Sequence, residues 1–143
     1  MKPILSTLFA SVLLMSGAHV HAAEYHLGEW LGTWQSGETS GHFNLDLERT
    51  SDGKLVGNID VSTDGGNAHE YAVDLRYVDF DGNRFTAVFL TPGKNAEVVK
   101  LAGTLDKAKG SGEWVARRRG ATPESASDSA AASGTWVLEK QER

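Results

Sequence analysis

The chain contains no cysteine. That excludes disulfides, thiol nucleophiles and thiolate metal sites at once, so stability must come from a packed core alone. Proline is scarce, with 3 in 143 residues, so few backbone N–H groups are lost to ladder hydrogen bonding. Past the first stretch, no apolar run approaches the length of a membrane-spanning helix. Catalytic signatures are missing as well: there is no Gly-x-Ser-x-Gly elbow, no P-loop and no His-Glu-x-x-His. Basic residues are outnumbered, 14 against 19 acidic, which argues against nucleic acid or an anionic membrane as the main partner.

The first stretch reads as an export signal. Lys2 is followed by an apolar run from Ile4 to Met15, then Val20-His21-Ala22 before Ala23. This is a basic n-region, a short h-region and a small-residue cleavage site, and it predicts cleavage after Ala22. The expected product, residues 23–143, is periplasmic or secreted and forms a single domain. It carries 13 basic and 19 acidic side chains, a net charge of −6 once Lys2 is set aside.

What remains alternates. Phe43, Leu45 and Leu47 share one face of His42–Glu48 in strict period two, and Leu55, Gly57, Ile59 and Val61 form the next inward row. Tyr71, Val73, Leu75 and Tyr77 follow, then Phe85, Ala87 and Phe89, then Val99, Leu101, Gly103 and Leu105. Turn residues separate the rows at Thr50–Lys54, Thr63–Asn67, Asp81-Gly82 and Pro92–Asn95. Counting from Trp30, the rhythm predicts an all-β, eight-stranded antiparallel up-and-down β-barrel. A β-sandwich is the structural rival, but its crossovers require longer connections than most found here.

All four tryptophans lie in one frame: Gly28-Glu29-Trp30, Gly32-Thr33-Trp34, Gly112-Glu113-Trp114 and Gly134-Thr135-Trp136. The glycine admits a neighbouring backbone and the indole fills the space beside it. The frames cluster near the two ends of the chain, as expected if first and last strands meet. In a meander, alternate links share an end. Thr50–Gly53, Asp79–Asn83 and Lys107–Ser111 make a closed end. Ser36–Gly41, Ser62–Ala68, Thr91–Ala96 and the flexible, Ala/Ser-rich loop at 120–133 make an open one, where a binding site belongs. On this reading Trp34 and Trp114 are closed-end plugs.

Leu31-Gly32-Thr33-Trp34 through Gly53-Lys54-Leu55-Val56-Gly57 resembles the start of calycin-type barrels. It is similar to lipocalins through Gly-x-Trp, and more closely to avidins through Gly-Thr-Trp, a polar link and a Gly-x-Leu-x-Gly strand. The resemblance implies an exported bacterial ligand carrier. It puts Ser36 and Ser40 where avidins have polar ligand contacts. Ile59, however, stands where that family has a tyrosine, and the last avidin strand with its aspartate has no counterpart, so biotin is not the expected cargo.

Arg118 shares the inward phase of Trp114 and Ala116 near the open end, where a guanidinium suits a carboxylate or phosphate; the competing reading sends it to solvent. Trp136 enters its strand from the open end and Tyr71 lies beside it. His26, His42 and His69 are far apart, and Asp79–Asn83 reads as a hairpin rather than a calcium loop, so no metal is expected. The sequence thus predicts a non-catalytic barrel without a cofactor. It holds a small, partly apolar ligand through Ser36, Ser40, Tyr71, Arg118 and Trp136. The alternative is a self-filled barrel whose loops engage or inhibit an envelope protein.

Overall fold

The structure is a computed structural model in which residues 22–65, 69–118 and 130–142 are described. Among them, nine antiparallel strands form one curled sheet. The strands are β1 (Gly28–Ser36), β2 (Thr39–Arg49), β3 (Leu55–Thr63), β4 (Glu70–Asp74) and β5 (Tyr77–Asp81), then β6 (Arg84–Leu90), β7 (Glu97–Leu105), β8 (Lys109–Arg118) and β9 (Ala130–Lys140). Their order across the sheet is β4-β3-β2-β1-β9-β8-β7-β6-β5. Sequence neighbours therefore pair, β4 and β5 excepted, and first meets last, with Trp34 opposite Trp136 and Gly32 opposite Leu138. The architecture is all-β, antiparallel and barrel-like, as the alternation predicts.

The expected eight strands become nine because one run changes partners. Leu75 N–H donates to Gly57 O on β3 at 2.8 Å, and the very next amide, Arg76 N–H, donates to Val88 O on β6 at 2.8 Å. The segment 70–81 thus leaves one edge of the sheet and joins the other, spanning the seam of the curl. Its side-chain phase slips at that point. Tyr71, Val73 and Leu75 pack on the core, whereas Tyr77 is 52 % exposed and Phe80 is buried. The inward placement expected for Tyr77 is corrected accordingly: strict alternation holds only while a strand keeps one ladder.

Two further expectations meet the structure here. The leader lies outside the described residues except for Ala22, whose carbonyl accepts from Arg49 Nη2 at 2.5 Å. Of the 120–133 loop, residues 120–129 also lie outside them, and β9 already begins at Ala130.

The closed end is filled. Trp30, Leu45, Leu47, Phe85, Leu105 and Leu138 are all at most 1 % exposed, and each such side chain contributes roughly 1.5–3 kcal/mol through burial. A short 3-10 turn, Glu24–His26, lies across this end. His26, itself 1 % exposed, stacks on Phe80 with ring centroids 4.0 Å apart and an interplanar angle of 18°. Trp30 Nε1 donates to His26 O at 3.0 Å. Lys140 Nζ reaches Tyr25 O at 2.6 Å as well as Leu27 O, and passes 5.1 Å from the centre of the Trp30 ring.

Three of the four Gly-x-Trp frames, those of Gly32, Gly112 and Gly134, pack as their sequence implies; Gly28, at φ 110°, instead faces only the flexible side chain of Lys140. A Cβ on Gly32 would fall 1.8 Å from Val137 O, and one on Gly134 would fall 1.8 Å from Gln35 O. Those contacts are sub-van der Waals and involve backbone, which cannot yield as a flexible side chain would.

Candidate functional site

Among the described residues, the open half of the barrel is not filled. A cavity of about 180 Å³ lies there, and every strand but β5 contributes to its wall. β1 and β8 bring Trp34 and Trp114, whose rings meet edge to face at 5.7 Å and 89°. β2 brings Phe43 and β9 brings Trp136, edge to face at 6.4 Å and 90°. β4 and β6 bring Tyr71 and Phe89, tilted at 6.5 Å. Ile59, Val61, Val99 and Leu101 complete the apolar surface.

Trp136 divides the two halves. Its ring touches Phe43, which lines the cavity, and at 5.9 Å also Phe85, which belongs to the filled end. Indole N–H groups tie two of the walls down. Trp34 Nε1 donates to Ser62 O at 3.0 Å and Trp136 Nε1 to Glu113 O at 2.9 Å. These bonds fix the polar edges on backbone and leave the ring faces for apolar contact. Trp114 Nε1 is buried and has no hydrogen-bond partner among the described residues.

Polar groups in the wall sit where inward rows run out toward the mouth. Thr63 ends the row of Ile59 and Val61, Thr91 follows Phe89, and Glu97 precedes Val99 and Leu101. Thr91 and Glu97 clamp their link: Thr91 N–H donates to Glu97 O at 3.0 Å, and Glu97 N–H donates to Thr91 Oγ1 at 2.8 Å. Burial, aided by the Glu97 carboxylate, pushes the Tyr71 phenol up to about 12. The hydroxyl therefore stays protonated at any physiological pH and acts as a neutral donor or acceptor.

Of the five side chains expected to bind, the structure brings Tyr71 and Trp136 together in the cavity wall. Ser36 lies at the end of β1, and its Oγ donates to Ser133 O at 2.6 Å, stitching the β1–β9 rim. Ser40 is already on β2, in phase with the exposed His42 and opposite to Phe43. The β1–β2 link is the short Gly37-Glu38, so Ser40 is a strand residue and not a loop serine. Arg118 is exposed at the mouth, directly across the ladder from Glu97.

Trp34 and Trp114 are corrected from closed-end plugs to cavity walls. β1 begins at Gly28 and β8 at Lys109, well before either ring, so both tryptophans lie in the open half. Trp30 is the closed-end plug. Extending each inward row by one alternation reaches Thr63, Thr91 and Glu97, polar wall positions beyond the five expected side chains.

His42 is on the outer face, as its phase predicts, with Nδ1 3.3 Å from Asp64 Oδ1. No group of three or more His, Cys, Asp or Glu side chains is arranged to hold a metal among the described residues. Comparison with protein-family models, with curated proteins and with solved structures finds no match.

Proposed function

We propose that this chain is a non-catalytic, exported carrier of calycin-like type that holds a small, largely apolar ligand in the open end of its barrel. The observation that carries this reading is the split interior. One half is packed by the chain's own side chains, while the other keeps a cavity of about 180 Å³ walled by Trp34, Trp114, Trp136 and three further rings. Engineered apolar cavities of about 150 Å³ bind benzene, so this volume suits a single ring or a head group of similar bulk. Walls anchored by indole-to-backbone hydrogen bonds are pre-organised, which lowers the entropic cost of binding. Tyr71, Glu97, Thr63 and Thr91 supply the few polar contacts that orient a ligand, with Arg118 and Ser36 at the rim.

Native mass spectrometry on the protein exported and purified gently from its host tests this. The expected result is an added small mass that disappears on denaturation. A bare protein under the same conditions contradicts it.

A second reading, an envelope-protein interaction module, draws on the outer face. Leu31 and Val137, on the adjacent strands β1 and β9, are 41 % and 52 % exposed there. Cross-linking in the host is its test; substituting Leu31→Ser with Val137→Ser would abolish a specific cross-linked product.

A further inference from the structure

We propose that the open-end cavity selects a small organic cation, an ammonium or quaternary ammonium group with an apolar body. This rests on the carrier reading above and names the ligand class of the same cavity.

Three features converge. First, six aromatic rings surround the space. Aromatic faces carry negative electrostatic potential, and a cage of them receives a desolvated cation better than a neutral group of equal shape. Second, the one formally charged residue among the described lining side chains is an acid, Glu97, and none of those described side chains is a lysine or arginine. A carboxylate at the edge of an aromatic cage supplies the counter-charge that makes cation burial tolerable. Third, no ion pair engages that carboxylate among the described residues. Arg118 stands opposite it on β8, yet no ion pair within 4 Å joins the two, and Arg118 is exposed. The Thr91–Glu97 hydrogen bonds fix the backbone from which the carboxylate projects. Tyr71, on the same wall, has its phenol pKa pushed up by burial and, secondarily, by the Glu97 carboxylate.

An anionic cargo fits the same wall poorly. It would set its charge against Glu97 and against the negative ring faces, with Arg118 at the solvent-screened rim as its partner. A trimethylammonium group has about the bulk of benzene and so matches the volume.

Isothermal calorimetry at low ionic strength decides it with three probes of nearly one shape: choline, its neutral carbon isostere 3,3-dimethylbutan-1-ol, and the anion 3,3-dimethylbutanoate. Choline is expected to bind at least about tenfold more tightly than the neutral isostere, and the anion more weakly than either. Glu97→Gln is expected to bring choline and the isostere to within about twofold while the melting temperature is retained. Equal affinity of choline and the isostere for the unaltered protein overturns the cation assignment and leaves the carrier reading standing. Tightest binding of the anion overturns it in favour of Arg118 as the recognising group. Heat from none of the three overturns both readings. The isostere comparison needs no variant, so it decides even where Glu97→Gln disturbs folding.

Discussion

Trp114 lies directly across the β8–β9 ladder from Gly134, and in the same ladder Trp136 lies across from Gly112. The last two Gly-x-Trp frames are thus reciprocal: each indole covers the glycine of the other. A Cβ on Gly134 would fall 2.8 Å from Trp114 Nε1, and one on Gly112 would fall 2.7 Å from Trp136 Cζ2. Both would also collide with backbone oxygens of the strand on the far side, Gln35 and Ala102.

Gly134→Ala and Gly112→Ala are therefore each expected to destabilise the protein by about 1–3 kcal/mol, the usual cost of overpacking. Urea denaturation followed by tryptophan fluorescence measures this. A change below about 0.5 kcal/mol in both would show that the frames are not packing devices.

Much of this architecture is legible in the sequence. The repeated Gly-x-Trp frame and the inward rows of Phe43–Leu47, Leu55–Val61 and Val99–Leu105 anticipate the sheet, its polarity and the meeting of first and last strands. The seam at Leu75-Arg76 is not legible, because period two describes one strand's faces and carries no sign of which neighbour it bonds. The site is half legible. Tyr71 and Trp136 follow from phase and from the end at which their strands begin. The placement of Trp34 and Trp114 depends on strand starts that lie several residues upstream of the rings, which the local motif does not specify.

The closed end should be sensitive to acid through His26. Its Nδ1 accepts from Ala23 N–H at 3.0 Å, while Nε2 faces Leu105 O at 3.0 Å and Asn83 Oδ1 at 3.1 Å. This pattern fits a neutral ring protonated on Nε2; a second proton on Nδ1 would confront a donor with a donor. Burial lowers the His26 pKa, the bonds to Leu105 and Asn83 oppose that, and Lys140 lowers it further. With the folded value below the unfolded value of 6.5, the unfolded chain takes up the proton first. The stabilisation is complete above pH 6.5 and is lost as pH falls through the folded value.

The melting temperature is accordingly expected to drop between pH 7.5 and pH 5, and to drop less in His26→Gln. Exposed His42 and His69 remain in that variant, so the difference isolates His26. Parallel pH profiles for the two proteins would contradict the assignment.

Tyr71 gives the opposite sign at high pH. Its folded value of about 12 lies above the ordinary 10.0, so the protonated phenol favours the fold, and that contribution is lost as pH rises from 10.0 through about 12. Absorbance at 295 nm should show one of the three tyrosines ionising late, and Tyr71→Phe should remove that step. Persistence of the late step in Tyr71→Phe would assign it elsewhere.

Ala116 is 3 % exposed and lines the cavity, which makes it the natural position for filling the space. Ala116→Leu is expected to hold or raise stability, by up to about 2 kcal/mol, while weakening binding of a benzene probe at least about tenfold. A destabilised variant that still binds benzene normally would mean that the space is not the binding site.

The four tryptophans divide the barrel, and their indole N–H resonances report on each half separately. The most direct measurement is a ¹H–¹⁵N spectrum of the protein titrated with benzene, with the four indole signals assigned by single Trp→Phe substitutions. Trp34, Trp114 and Trp136 line the open cavity and Trp30 lies in the filled end, so the first three signals should shift together and saturate while the Trp30 signal stays in place. No shift in any of the four, or a Trp30 shift as large as the others, would contradict a barrel that is packed at one end and open to a ligand at the other.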